Sequence, residues 1–291
     1  MTKKLIFHLQ ICLFCLLFLN TKIFGQEDTA RLVTLGGDVT EIVAALGFSS
    51  NIVGRDSTST YPPKITDIPD LGYLRTLNAE GILSLAPTKL IASSQAGPPE
   101  VIEQLKISGI NLTMLPEGNS VGHLLERIKI IGNLLKAEKP ANRLINKIRT
   151  DMEKILKKIE ELETKPRVLF LLHRVGGSTL AAGTDTAANA LINLVGGTNI
   201  ISSSRGYKSF SPEKIISSQP QIIMMMDHSF EAMGGMPALA NHPIFNLTPA
   251  IKENKVIIRD GLLMLGFGPR LPLVVSEIAR EIHPKLFKKS D

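Results

Sequence analysis

The sequence predicts an α/β protein built as two similar α/β lobes joined by one long helix, with a ligand cleft between the lobes. Three observations predict it. Strand-sized and helix-sized segments alternate along the chain, a helix–strand pattern of the first half returns in the second, and a long Lys- and Glu-rich helical stretch separates the halves. At 291 residues there is room for two cores. The apolar (44%) and charged (21%) fractions are those of a globular protein, without collagen-like or low-complexity bias.

Residues 1–25 read as a signal peptide. Lys3 and Lys4 precede an apolar run over 11–19, which is too short to span a bilayer and suits the central region of a secretory signal. Gly25 is the expected last residue before cleavage, although Ile23 is bulkier than usual two positions upstream, and the mature chain then starts near Gln26. An uncleaved anchor is the alternative, and the shortness of the run argues against it. Cys12 and Cys15 lie inside this segment, next to Ile11 and Phe14 rather than to the small residues of a lipoprotein signal. The mature chain then has no cysteine for a disulfide or a thiolate metal site. Removing Lys3, Lys4 and Lys22 lowers the net charge from +6 to about +3. No basic stripe with interleaved aromatics follows, which argues against nucleic-acid binding.

The first lobe is expected over 30–139. "RLVTLGGDVTEIVAALG" is a strand over 31–35, a glycine turn, and a helix whose apolar residues Ile42, Val43, Ala45 and Leu46 recur at helical spacing. "NIVGRDSTSTYP" is a strand running into a polar loop. "PTKLIASS" and "INLTMLPE" are two more strands, with the helix "PPEVIEQLKISG" between them. After Asn119 the chain is helical apart from a break near Pro140. Proline suits the start of a helix and not its interior, so the linking helix is placed over 140–165, ending near Thr164.

The second lobe, over 166–291, repeats the alternation. "RVLFLLHRVGG" is a strand with a glycine turn, "DTAANALINLVGG" a helix, "NIISSS" a short strand, "SPEKIISSQP" a helix and "QIIMMMD" a strand. "KENKVIIRDG" is a further strand and "LPLVVSEIAREI" the last helix. The halves share a signature: residues 78–93 parallel 211–226. Each begins with an N-cap residue (Asn78, Ser211), has an acid two positions on (Glu80, Glu213) and a proline seven beyond that (Pro87, Pro220), and continues as an apolar strand. The cap satisfies an orphan backbone N–H, and the acid favours the positive end of the helix dipole.

Ligands of open α/β sheets sit beyond the carboxyl ends of strands, and pockets favour the junction of two lobes, so the cleft is the expected site. No G-x-S-x-G elbow, H-E-x-x-H, P-loop or dinucleotide fingerprint is present. "LGFGPR" and "MGGMP" read as simple glycine turns. The histidines at 8, 123, 173, 228, 242 and 283 form no i, i+4 pair, which argues against a His-rich metal site. The sequence favours a binding protein over an enzyme.

"GRDSTSTYP", "GYLRTLNAEGILSLAPT", "AGPPEVIEQL", "AAGTDTAANALINLVGG" and "GLLMLGFGPR", in this order, resemble the periplasmic haemin-binding proteins of bacterial haem ABC importers. The resemblance covers about residues 30–288, and the block from Gly72 to Gly81 is its most specific part. It implies a soluble periplasmic protein that takes Fe(III) haem as transported ligand and delivers it to an ABC permease in the inner membrane. Related cobalamin and siderophore binders share the fold, so those ligands, or a haem-storage or haem-sensing role, are the alternatives.

The resemblance places the haem-iron ligand on Tyr73, and chemistry agrees, since a phenolate is a hard anionic donor suited to ferric iron. Arg75, two residues on, is expected either to favour the phenolate or to clamp a haem propionate. His173, at the end of a strand in the second lobe, is a possible second ligand. Arg270 matches a family arginine and is expected at a propionate. Tyr61 and Tyr207 are candidates to stack on the porphyrin or to pack. Met224, Met225 and Met226 read as core strand, and Met233 and Met236 as candidates to line the pocket. Glu80 and Glu213 are implied to dock the two lobes onto the two permease subunits.

Overall fold

The computed structural model describes residues 30–174 and 176–287; the signal segment at 1–25, with Cys12 and Cys15, lies outside the described residues. β1 (Leu32–Leu35) is buried along its whole length, as a strand covered on both faces must be, and its one polar side chain, Thr34, pairs its hydroxyl with that of Thr40 at 2.7 Å. Then come α1 (Gly37–Ala45), β2 (Ile52–Arg55), α2 (Ala79–Ser84), β3 (Lys89–Ala92), α3 (Pro99–Ile107), β4 (Leu112–Met114) and α4 (Val121–Leu134). The four strands pair in parallel in the order β2-β1-β3-β4. Parallel neighbours need crossovers, which the helices supply.

α5 (Glu138–Glu160) follows. It buries Ala141, Ile145, Ile148, Met152, Ile155 and Ile159, alternately three and four residues apart, along one stripe. That stripe packs on α4 of the first lobe and on the last helix of the second. Gly132 permits the close approach to α4, because a Cβ there would lie 2.4 Å from that of Ala141. Pro140 sits in the first turn of α5, where its missing N–H would be an orphan anyway. The helix ends at Glu160, a turn short of Thr164.

The second lobe runs β5 (Arg167–Leu172), β6 (Leu180–Ala182), α6 (Ala187–Leu194), β7 (Thr198–Asn199), β8 (Tyr207–Lys208), α7 (Pro212–Ser218), β9 (Ile222–Met226), α8 (Asp227–Ala232), α9 (Gly235–Asn241), α10 (Pro249–Lys252), β10 (Val256–Arg259), α11 (Gly261–Leu265) and α12 (Leu271–Ile282). Its sheet has the order β10-β9-β5-β6-β8, with β7 beside β5. β10, β9, β5 and β7 are parallel; β6 is antiparallel to both its neighbours. A core centred on Val33, Leu90 and Ile82 fills the first lobe, and one centred on Leu169, Ile223 and Phe245 fills the second.

The sequence repeat is also a structural one. Asn78 Oδ1 accepts the N–H of Gly81 at 3.1 Å to cap α2, and Ser211 Oγ accepts that of Lys214 at 3.2 Å to cap α7. Each helix leads into an inner strand of its sheet, β3 or β9. Three local expectations need correction. "NIISSS" supplies only Asn199 to β7, and the buried Ile200 and Ile201 follow it. "MGGMP" is not a plain turn, since Gly235 opens α9 after Gly234 at φ +97°. Met233 and Met236 pack against the core of the second lobe rather than lining the pocket.

Candidate functional site

The carboxyl ends of β1, β3 and β4 face those of β5, β9 and β10 across a cleft of about 760 Å³, a volume suited to a sizeable small-molecule ligand. Asp56, fully buried just after β2, organises the first lobe's rim. Its carboxylate accepts the Gly36 N–H at 2.7 Å, the Ser59 hydroxyl at 2.7 Å, and the N–H and hydroxyl of Thr58.

Tyr73 stands on this rim because of how its loop is anchored. Leu74 and Leu77 are buried in the lobe's core, the N–H of Gly97 bonds the Leu74 carbonyl at 3.0 Å, and the N–H of Leu77 bonds the Gly97 carbonyl at 2.9 Å. Gly72 takes φ +88°, with its N–H held by Asp70 Oδ1 at 2.9 Å. With both leucines turned inward, Tyr73 is left 44% exposed and borders the cleft together with Arg75. Arg75 Nη1 donates to the Tyr73 phenol oxygen at 3.1 Å, and Nη2 donates to Gln95 Oε1. The bond fixes where the phenol oxygen stands at the cleft's rim.

The opposite wall carries His173, Tyr207 and His228. His173 is half-buried, and its Nδ1 meets Thr179 Oγ1 at 2.9 Å. Burial pushes the Tyr207 phenol up to about 12, against the nearby Arg75 charge and a backbone bond at Ala188, so it stays a neutral phenol. Two phenols thus border one cleft in different settings: Tyr207 is largely buried, and Tyr73 is exposed with Arg75 on its oxygen. His228 escaped the sequence reading. The signal was available, because it follows the end of an apolar strand closely, as His173 does.

Arg270 does not border the cleft. Its guanidinium stacks over the Tyr61 ring at 3.6 Å, and its Nη2 and backbone N–H both bond Glu41 at 3.0 Å. Glu41 is 4% exposed in its side chain and belongs to α1, so the pair joins the lobes. The propionate expectation for Arg270, and the stacking expectation for Tyr61, meet a competing use of both side chains. A buried arginine, Arg127 of α4, does border the cleft. It pairs with Asp38 at 3.2 Å and donates to the Phe267 carbonyl of the second lobe at 3.1 Å. Burial holds the Asp38 carboxyl above the usual carboxylate range, with Arg127 pulling it back.

Residues 32–261 match the family model described as periplasmic binding protein. The chain belongs to that family. Among solved structures it is similar to the periplasmic heme-binding protein RhuT from Roseiflexus sp. RS-1, with 33% identity and a TM-score of 0.85 over 88% of this chain and 99% of that one. It is equally similar to the periplasmic heme-binding protein BhuT in complex with two hemes, with 34% identity and a TM-score of 0.83 over 88% and 99%. By sequence it is 26% identical to the uncharacterized ABC transporter substrate-binding lipoprotein YvrC of Bacillus subtilis (strain 168), over 93% of this chain and 85% of that one. It is 22% identical to a vitamin B12-binding protein of Vibrio parahaemolyticus, over 82% and 88%.

In this periplasmic binding protein, the two acids of the repeat are exposed, one on each lobe. Glu213 accepts the Ser211 hydroxyl at 2.7 Å, which lowers its carboxyl below the usual range and keeps it charged. Among the described residues no helix is long and apolar enough to cross a membrane, and no group of three His, Cys, Asp or Glu side chains forms a metal cluster.

Proposed function

We propose that this periplasmic binding protein captures Fe(III) haem in the interlobe cleft and delivers it to the permease of an ABC importer. The observation that carries the reading is the Arg75–Tyr73 hydrogen bond at the cleft's rim. Ferric haem presents an open axial position that takes an anionic oxygen, and tyrosine is an established donor there. Tyr73 is the axial ligand in this reading, Arg75 the group that hydrogen-bonds and orients its oxygen, and His173 a donor from the facing lobe. Arg270 serves the lobe junction through Glu41 and not a propionate. The work is capture and release, with no covalent bond made or broken in the cargo. Residues 1–25 export the chain, and the mature protein works in the periplasm. Glu80 and Glu213, one per lobe, offer like charges to a two-fold symmetric membrane partner, where complementary charge fixes register and speeds encounter.

The similarity to vitamin B12-binding proteins supports a second reading, a corrinoid cargo. The test is a titration of the purified mature chain with haemin and, separately, with a cobalamin. A shifted Soret band that saturates with haemin, and no spectral or calorimetric response to the cobalamin, is the expected result. Saturable cobalamin binding without a haem spectrum would replace the haem reading.

A further inference from the structure

We propose that Arg31 and Arg167 are positioning residues for docking, each clamping the far end of the helix that carries its lobe's docking glutamate. The inference rests on the permease-docking reading of Glu80 and Glu213 above. Arg31 stands just before β1 and Arg167 opens β5, the strand that starts each lobe. At the end of α2, Arg31 Nη2 donates to the Leu85 carbonyl at 2.6 Å and its Nε to the Ala86 carbonyl at 3.2 Å. At the end of α7, Arg167 Nε donates to the Ser218 carbonyl at 2.8 Å and to the Gln219 carbonyl at 3.0 Å. Leu85 and Ser218 hold the same place in the sequence repeat, as do Ala86 and Gln219. The backbone around each clamp is repeated too. Ala86 and Gln219 both turn the chain out of the helix through the left-handed region, at φ +43° and +45°. The Arg31 N–H donates to Thr88 Oγ1 and the Arg167 N–H to Gln221 Oε1, both at 3.0 Å. The N–H groups of Thr88 and Gln221 return bonds to the Arg31 and Arg167 carbonyls, at 2.9 and 2.8 Å.

The geometry thus recurs where Leu, Ala and Thr of one lobe stand against Ser, Gln and Gln of the other. A guanidinium on the last carbonyls satisfies orphan acceptors and suits the negative end of the helix dipole. That serves either helix alone and gives no reason for the two to end alike. A two-fold symmetric partner does, because both glutamates must reach it at the same aspect. The helices also need the support: α2 buries only Ala79 and Ile82, and α7 only Ile215, so little side-chain packing fixes their tilt. At 1.5 Å per residue each is about 10 Å long, so a tilt at the clamped end carries the glutamate at the other end with it.

Spin labels and permease kinetics test this. Residues 26–291 hold no cysteine, so Glu80→Cys with Glu213→Cys takes one label on each lobe. Double electron–electron resonance of the haem-loaded mature chain is expected to give one narrow distance distribution. Adding Arg31→Met or Arg167→Met is expected to broaden it, and Lys at either position, which keeps a cation for the carbonyls, to restore much of it. In the unlabelled chain with both glutamates intact, Arg31→Met is expected to leave the haemin titration unchanged. The concentration that half-saturates ATPase stimulation of the permease in lipid nanodiscs is expected to rise about 5-fold, the low end of coupling between two sites. In the Glu80→Ala background, Arg31→Met is expected to change that concentration by less than about 2-fold. Circular dichroism confirms folding, and Arg31→Gln and Arg167→Gln, with the same outcomes expected, carry the test if a Met variant does not fold. An unbroadened distribution, an unchanged half-saturating concentration, or an equal rise with and without Glu80 overturns the proposal and leaves the docking reading standing. Full stimulation by the chain carrying both Glu80→Ala and Glu213→Ala overturns both.

Discussion

Arg75 donates to the phenol oxygen of Tyr73 at 3.1 Å, from two residues away on the same anchored loop. The bond costs little extra ordering, because Leu74 between them is locked in the core. Tyr73→Phe should abolish the phenolate charge-transfer band of the haem complex and release haem readily. Arg75→Met should retain the band while weakening affinity about 10–100-fold, as loss of a ligand's outer partner does. Stopped-flow haem transfer to an acceptor protein reads both; unchanged release from Tyr73→Phe would remove Tyr73 from the site.

The lobes are expected to move little on loading. α5 packs on both, and two arginines cross the junction in opposite senses: Arg127 reaches the Phe267 carbonyl and Arg270 reaches Glu41. Hinge closure would break both bonds. Solution scattering of apo and haem-loaded protein should fit one set of lobe positions, with differences below about 2 Å. A gross change in radius of gyration would contradict this.

Glu41→Ala should be the most damaging single change at that junction. It leaves the Arg270 guanidinium, only 20% exposed, without its counter-charge. The expected loss is about 3 kcal/mol, the low end for removing one partner of a buried pair, since Arg270 keeps some water. Urea unfolding measures it, and a loss within 0.5 kcal/mol (about the scatter for plain surface changes) would mean the pair is incidental.

Acid should unfold the chain partly through two histidines held neutral. Burial lowers His283, whose Nε2 donates to the Val195 carbonyl at 3.0 Å, and lowers His242, whose Nδ1 accepts the Ile244 N–H at 3.2 Å while its ring stacks on Phe245. With folded values below the ordinary 6.5, the unfolded chain binds more protons in the window beneath it. Their contribution is thus whole above that value and is lost as pH falls through it toward the folded values. His283→Gln, which keeps an amide donor for Val195, should show a smaller drop in Tm between about pH 7.5 and 5 than wild type. An equal drop would exclude His283 from the acid response.

Glu80→Ala combined with Glu213→Ala should leave haem binding and folding nearly intact. Permease-stimulated ATP hydrolysis and haem uptake should fall, with each single change showing a part of the loss. Undiminished uptake at normal protein levels would mean that the two acids serve only the dipoles of their helices.

The sequence by itself determined the alternation, the repeat and the cleft. Parallel strands are buried on both faces and so read as apolar runs, and Asn78 and Ser211 cap their helices through atoms three residues away. The "GYLR" block likewise carries its own chemistry, since Tyr73 and Arg75 are local partners. Only the tertiary structure decided the rest. β6 and β8 are too short to signal themselves and exist as partners of neighbours already in place. Arg270 meets Glu41, 229 residues away in the chain, only in the folded protein. His228 sits beside the cleft against Gly261, the first residue of α11, a neighbour that no local pattern links to it. A capping bond or an apolar stripe is written within one turn of chain, whereas the partner of a buried charge is settled by which strand ends the sheet order sets side by side.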